Sequence, residues 1–234
     1  MSSIADNLGS VTRRIQKATL QAGRKPGSVS LLAVSKTRSA QELREAVSAG
    51  QLAFGESYLQ EALDKIAELR DLTAIDWHFI GPVQSNKTRQ IASAFSWVHS
   101  VDRLKVARRL SEQRETGLPP LNICLQVNIN NEPSKSGCRP DELPELASQV
   151  SQLPGLRLRG LMAIPDPGQT ESALKESFRN LANLLKELQL RYPEAGPLDT
   201  LSMGMSGDLE TAIAEGATCV RIGTAIFGER SQKS

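Results

Sequence analysis

The 234-residue chain is poor in the residues that most often announce chemistry, with three cysteines, two histidines and 4% aromatic residues. Cys124, Cys138 and Cys219 stand far apart, with no CxxC pair and no adjacent histidine pair. That excludes the usual zinc spacings and a disulfide framework, and leads us to expect reduced thiols in a cytoplasmic protein. His78 and His99 have no partner at ligand spacing and read as structural histidines, so no metal is expected. Nor does one sign of charge dominate: 28 Lys+Arg are interspersed with 26 Asp+Glu, for a net +2. A nucleic-acid or anionic membrane surface is not expected from such a balance. Long apolar runs are missing too, which removes a membrane span and the apolar core of a signal peptide. Gly223 and Gly228 have the spacing of a nucleotide-binding loop, but Glu229-Arg230 follow where that loop needs Lys and Ser/Thr.

What is present is a regular alternation of short β-branched runs with longer amphipathic stretches, the pattern of βα units on a parallel sheet. Eight strands are predicted: Val29–Lys36, Leu52–Glu56, Asp76–Gly81, Trp97–Val101, Leu121–Asn128, Leu156–Ile164, Thr200–Met205 and Cys219–Phe227. Leu31-Leu32-Ala33-Val34 is apolar on consecutive residues, as in strands covered on both faces. Between them lie helical stripes, for example Leu59, Ala62, Leu63, Ile66 and Leu69, or Leu174, Phe178, Leu181, Leu185 and Leu188. Ser39-Ala40-Gln41-Glu42 is a capping-box start. Ile4, Leu8, Val11, Ile15 and Ala18 predict a further helix ahead of the first strand. The expected fold is a single (β/α)₈ TIM-like barrel domain over residues 1–234 with an N-terminal helix, and a monomer is expected.

In such a barrel the active face lies where strands run into the loops that follow them. The first strand is predicted to end in Lys36. There the lysine is either a partly desolvated, nucleophilic amine or simply a solvated side chain past the strand end. The loop after the seventh strand offers Met205, Ser206 and Gly207 running into a predicted helix Asp208–Gly216, and the next offers Gly223 and Thr224. Small residues and hydroxyls in these two loops suit a phosphate, although Ser206 also suits plain N-capping. The longest polar connection, Asn130–Pro140, follows the fifth strand.

Five long runs carry a family resemblance. They are Leu31–Thr37, Trp77–Lys87, Arg159–Pro165, Leu201–Ser206 and Val220–Gly228. In order and in register, they resemble the YggS-type pyridoxal phosphate homeostasis family, single barrels similar to the N-terminal domain of alanine racemase. The resemblance implies the type III fold of pyridoxal 5′-phosphate (PLP) proteins and PLP as cofactor. It implies Lys36 as the Schiff-base lysine, Ser206, Gly223 and Thr224 around the phosphate, and Arg221 facing the pyridine nitrogen. Lys135 also matches a family lysine. Ser57 stands where the family more often has Asn, and Arg38 where it often has a second lysine.

The function expected from the resemblance is cofactor and amino-acid homeostasis, with PLP carried rather than used, no catalytic residues, and PLP-dependent apoenzymes as recipients. A racemase of the related kind takes its second base from a C-terminal domain, and here the sequence stops six residues after Gly228. Three rivals stand beside this expectation: a racemase-like PLP enzyme, an aldolase using Lys36 directly, and a regulatory module acting through a protein partner.

Overall fold

The first apolar stripe forms α1 (Ile4–Gln21), opened by a capping box in which Ser3 and Asp6 bond reciprocally at 3.1 and 3.2 Å. Its buried face holds Leu8, Val11, Ile15 and Ala18, each larger side chain contributing about 1.5–3 kcal/mol by leaving water. The computed structural model describes residues 3–132, 135–166 and 168–229.

Eight parallel strands close in chain order into a barrel. They are β1 (Ser30–Val34), β2 (Ala53–Glu56), β3 (Asp76–Phe79), β4 (Trp97–Val101), β5 (Leu121–Gln126), β6 (Leu156–Met162), β7 (Thr200–Ser202) and β8 (Cys219–Ile222). The barrel is sealed where β1 pairs with β8, Leu32 opposite Arg221. Around it run α2 (Ala40–Ser48), α3 (Leu59–Glu68), α4 (Thr88–Ala94), α5 (Leu104–Gln113), α6 (Leu143–Ser151), α7 (Glu171–Arg191), α8 (Leu209–Ala214) and α9 (Thr224–Phe227). The main apolar core lies between these helices and the strands.

α1 packs against α8 and α9. Asn7 donates to the Ile226 carbonyl at 2.8 Å, and Arg24 Nη1 donates to the Ile213 and Ala217 carbonyls at 3.0 and 2.6 Å. The extra N-terminal helix therefore braces the side of the barrel where the last two strands end.

The predicted strands all exist, and β2 and β4 end where predicted, but the other six stop short of their predicted ends. β1 stops at Val34 and leaves Lys36 in a turn, and β3, β5, β6 and β7 likewise end before their predicted limits. The largest correction is at β8. Residues 224–227 are helical, with Phe227 N–H bonding Gly223 O at 3.0 Å and Gly228 N–H bonding Thr224 O at 2.9 Å. In the Asn130–Pro140 connection, Pro133 and Ser134 lie outside the described residues.

Candidate functional site

At the rim where the strands end, a cavity of about 270 Å³ is bordered by Lys36, Ser206, Arg221, Gly223 and Thr224. Val34, Ile80 and Ile164 supply apolar wall, and Arg38, Ser57, Met205 and Gly207 complete it. All five residues singled out from the sequence border this one space.

Lys36 is half-buried, and the backbone on both sides of it is pinned. Ser35 N–H still reaches Gly55 O at 3.0 Å. Thr37, at φ +66°, gives its N–H to Glu61 Oε1 at 2.5 Å. The buried Lys65 ammonium joins both sides, donating to Ser35 O at 2.7 Å, Glu56 Oε1 at 2.8 Å and Glu61 Oε1 at 2.6 Å. Ser35 Oγ donates to Glu56 Oε1 at 2.6 Å. Burial pushes the Glu56 carboxyl above its ordinary value, against the pull of Lys65 and Ser35. The sequence reading passed over this cluster, although Glu61 and Lys65 stand four apart on one helix.

Arg221 is buried, yet among the described residues no carboxylate lies within ion-pair reach of it. Its Nη1 donates to Ser202 O at 2.5 Å and Ser202 Oγ at 2.8 Å, and its Nη2 to Ala163 O at 2.9 Å. Burial lowers its pKa from the usual guanidinium value, but arginine stays charged within any working range. Two of its five N–H groups are left for whatever occupies the cavity.

Ser206 is not a helix cap. Asp208 takes the N-cap position of α8, and its Oδ1 accepts Met205 N–H at 2.5 Å. Ser206 Oγ accepts from Ala225 N–H at 3.4 Å and so ties the two phosphate-candidate loops together. At Gly223 a Cβ would lie 3.2 Å from Val34 O, so a larger residue would crowd the junction of the β1 and β8 loops. An amine, a buried guanidinium with no carboxylate in ion-pair reach among the described residues, two hydroxyls and small-residue backbone fit a ligand that combines a carbonyl, a ring acceptor and a phosphate.

The residues at departures from the family pattern are placed as follows. Ser57 borders the cavity, and Gly81 packs so closely on its carbonyl that a Cβ there would clash. Arg38 also borders it but is held by Gly228 O at 2.5 Å and Glu229 O at 3.0 Å. Lys135 lies in a neighbouring cavity that shares Ile80 and Ile164 with the first, its Nζ 3.4 Å from Ile164 O. Tyr58 is 54% exposed and Tyr192 caps the far end of α7, and neither borders the site. The three thiols are buried, and burial pushes Cys138 up to about 12, which makes it a poor nucleophile. No helix among the described residues is long and apolar enough to cross a membrane.

Comparison with known proteins agrees with this architecture. The model of the alanine racemase N-terminal domain matches residues 7–231. The pyridoxal phosphate homeostasis protein of Pseudomonas aeruginosa is 63% identical, over 98% of this chain and 97% of its own length. That of Escherichia coli K12 is 52% identical, over 98% of each. PipY of Synechococcus elongatus, solved with PLP bound, superposes with a TM-score of 0.85 at 42% identity, covering 97% of this chain and all of PipY. Alanine racemase from Corynebacterium glutamicum shares the fold at 18% identity with a TM-score of 0.67, 99% of this chain covering 62% of that one. The chain therefore belongs to the alanine racemase N-terminal domain family, among the pyridoxal phosphate homeostasis proteins.

Proposed function

We propose that this protein binds PLP at the rim cavity, holds it on Lys36 as a Schiff base, and carries or buffers it in the cytoplasm without useful turnover of amino acids. The observation that supports this reading best is the convergence of Lys36, Arg221 and the Ser206 and Gly223-Thr224 loops on one cavity. The Lys36 amine adds to the aldehyde carbon and one water leaves, a reversible linkage suited to loading and release. PLP, once bound, supplies an electron sink. Ser206, Gly223 and Thr224 hold the phosphate, and Val34, Ile80 and Ile164 keep water from the ring. Arg221 donates to the pyridine nitrogen and, because it does not give up its proton, leaves that nitrogen unprotonated and the sink weak. PLP-dependent apoenzymes are the proposed recipients, and the protein is proposed to act as a monomer.

The test is the absorbance of the purified protein before and after borohydride, followed by peptide mapping of the reduced adduct. A visible band that disappears on reduction, with the adduct on Lys36, is expected. An adduct on Lys87 or Lys135 with Lys36 unmodified would overturn the assignment.

A further inference from the structure

Behind Arg221, four polar side chains run in single file through the barrel. Asp76 Oδ2 lies 3.0 Å from His78 Nε2, His78 Nδ1 lies 2.9 Å from His99 Nε2, and His99 Nδ1 lies 2.8 Å from Ser202 Oγ. Ser202 Oγ then accepts from Arg221 Nη1 at 2.8 Å. Because β4 and β7 are not neighbours, the His99–Ser202 bond crosses the barrel interior. At one end His78 and His99 border a separate cavity of about 220 Å³ at the N-terminal mouth. At the other, Arg221 borders the rim cavity.

The donors follow by elimination. Burial alone would raise the Asp76 carboxyl, but hydrogen bonds from His78 and Ser96 outweigh it and hold the group below its ordinary value. Asp76 is therefore an anion that only accepts, and His78 Nε2 carries a proton. His99 is buried, and burial, aided by His78 and Arg221, pushes its pKa well below that of free imidazole. It is neutral, with a proton on one nitrogen only.

Two arrangements remain, and they differ by one proton on His78. With His78 neutral, His99 Nε2–H donates to it and the Ser202 hydroxyl donates to His99 Nδ1. Every bond then points from Arg221 toward Asp76. With His78 protonated, it donates in both directions, His99 becomes the Nδ1–H tautomer, and Ser202 Oγ accepts from His99 and Arg221 alike.

We propose that Asp76, His78, His99 and Ser202 are positioning residues that form a two-state hydrogen-bond relay, through which the protonation of His78 at one mouth of the barrel sets whether the Ser202 hydroxyl that receives Arg221 Nη1 donates to His99 or accepts from it. The other charged or titratable groups facing the pair are Arg159, Asp199 and Cys219 on the mouth cavity. Arg159 is clasped by Asp199 at 2.9 and 2.8 Å and lies 4.6 Å over Trp97, the ring that stacks on His78. Its charge is thus matched, and Asp76 is the carboxylate in direct contact with His78.

The effect on bound cofactor rests on the function proposed above, whereas the relay itself can be read without it. The experiment is a pH titration of the full chain with ¹⁵N-labelled histidine, following long-range proton–nitrogen correlations. We expect His99 to pass from the Nε2–H to the Nδ1–H form with the same midpoint at which His78 takes up its proton. Asp76→Asn should move both midpoints to lower pH together. In PLP-loaded protein the absorption band should shift at that midpoint. Ser202→Ala should abolish the band's response while His78 still titrates, and Ser202→Thr should restore it. A His99 tautomer that stays fixed while His78 titrates would overturn the relay, and an unchanged band response in Ser202→Ala would overturn its reach to Arg221. If the wild-type chain takes up no PLP, the proposed function falls, and the histidine titration still decides the relay.

Discussion

Ser206 shows how one hydroxyl can serve both fold and ligand. Its oxygen accepts a long hydrogen bond from Ala225 N–H at 3.4 Å, near the limit of a useful contact, and its own proton is left for an anion. Ser206→Ala is therefore expected to weaken PLP binding by roughly 1.5–3 kcal/mol, the range for a hydrogen bond to a charged group, and to leave pyridoxal affinity nearly unchanged. Titration of both ligands decides it, since an equal loss for both would remove the phosphate from this position. That Ser206 and Lys36 border the rim cavity was legible in the sequence, because a reactive or hydroxyl side chain at a strand end is a local signal. His78 and His99 were not legible as partners of Ser202. Their contact is made by closing the barrel, which brings β4 opposite β7, and no linear spacing encodes it.

At the scale of elements, the loop between β7 and α8 depends on Gly204. Its φ is +94°, and a Cβ there would come within 2.6 Å of Ala212 Cβ. Gly204→Ala should cost about 1–3 kcal/mol through overpacking, with additional strain from the left-handed backbone. Gly207, three residues on, has open space around it and no positive φ, so Gly207→Ala should melt near the wild-type temperature. Similar melting of the two variants would contradict this account. A second element-level feature is the Arg159–Asp199 clasp between β6 and the approach to β7. Burial works against the Asp199 carboxylate, but bonds from Arg159 and Thr200 hold its pKa below the ordinary value. A depressed carboxyl adds stability that is present above its unfolded value near pH 3.9 and is lost as pH falls through the folded value. Asp199→Asn should therefore flatten the acid limb of the stability profile below about pH 4. The carboxylate is about half exposed, so the effect should not exceed about 1 kcal/mol, and an unchanged acid limb would count against the clasp. The sequence misplaced β8 for a related reason of scale. Ala225-Ile226-Phe227 is apolar enough for either strand or helix, and only the bonds back to Gly223 and Thr224 make it a helical turn.

For the molecule as a whole, the question is whether a barrel of this kind can also turn amino acids over. Racemisation needs an acid or base on each face of the reacting carbon, within hydrogen-bond reach. In the proposed site Lys36 would serve one face. Among the described residues bordering the cavity there is no tyrosine, histidine, aspartate or glutamate to serve the other. Tyr58 stands near the rim, but it is 54% exposed and does not border the site. In the function proposed above Arg221 would weaken the electron sink as well, since a donor that keeps its proton does not place a full positive charge on the ring nitrogen. These features point the same way, and we expect PLP-loaded protein to leave the α-hydrogen of L-alanine unexchanged in deuterated solvent at any rate approaching ordinary enzymatic turnover. The measurement is the loss of the α-proton signal with time, run beside Lys36→Ala and Tyr58→Phe. Exchange or racemisation at ordinary turnover, abolished by Lys36→Ala, would make the protein a minimal racemase, and its loss in Tyr58→Phe as well would make Tyr58 the second base.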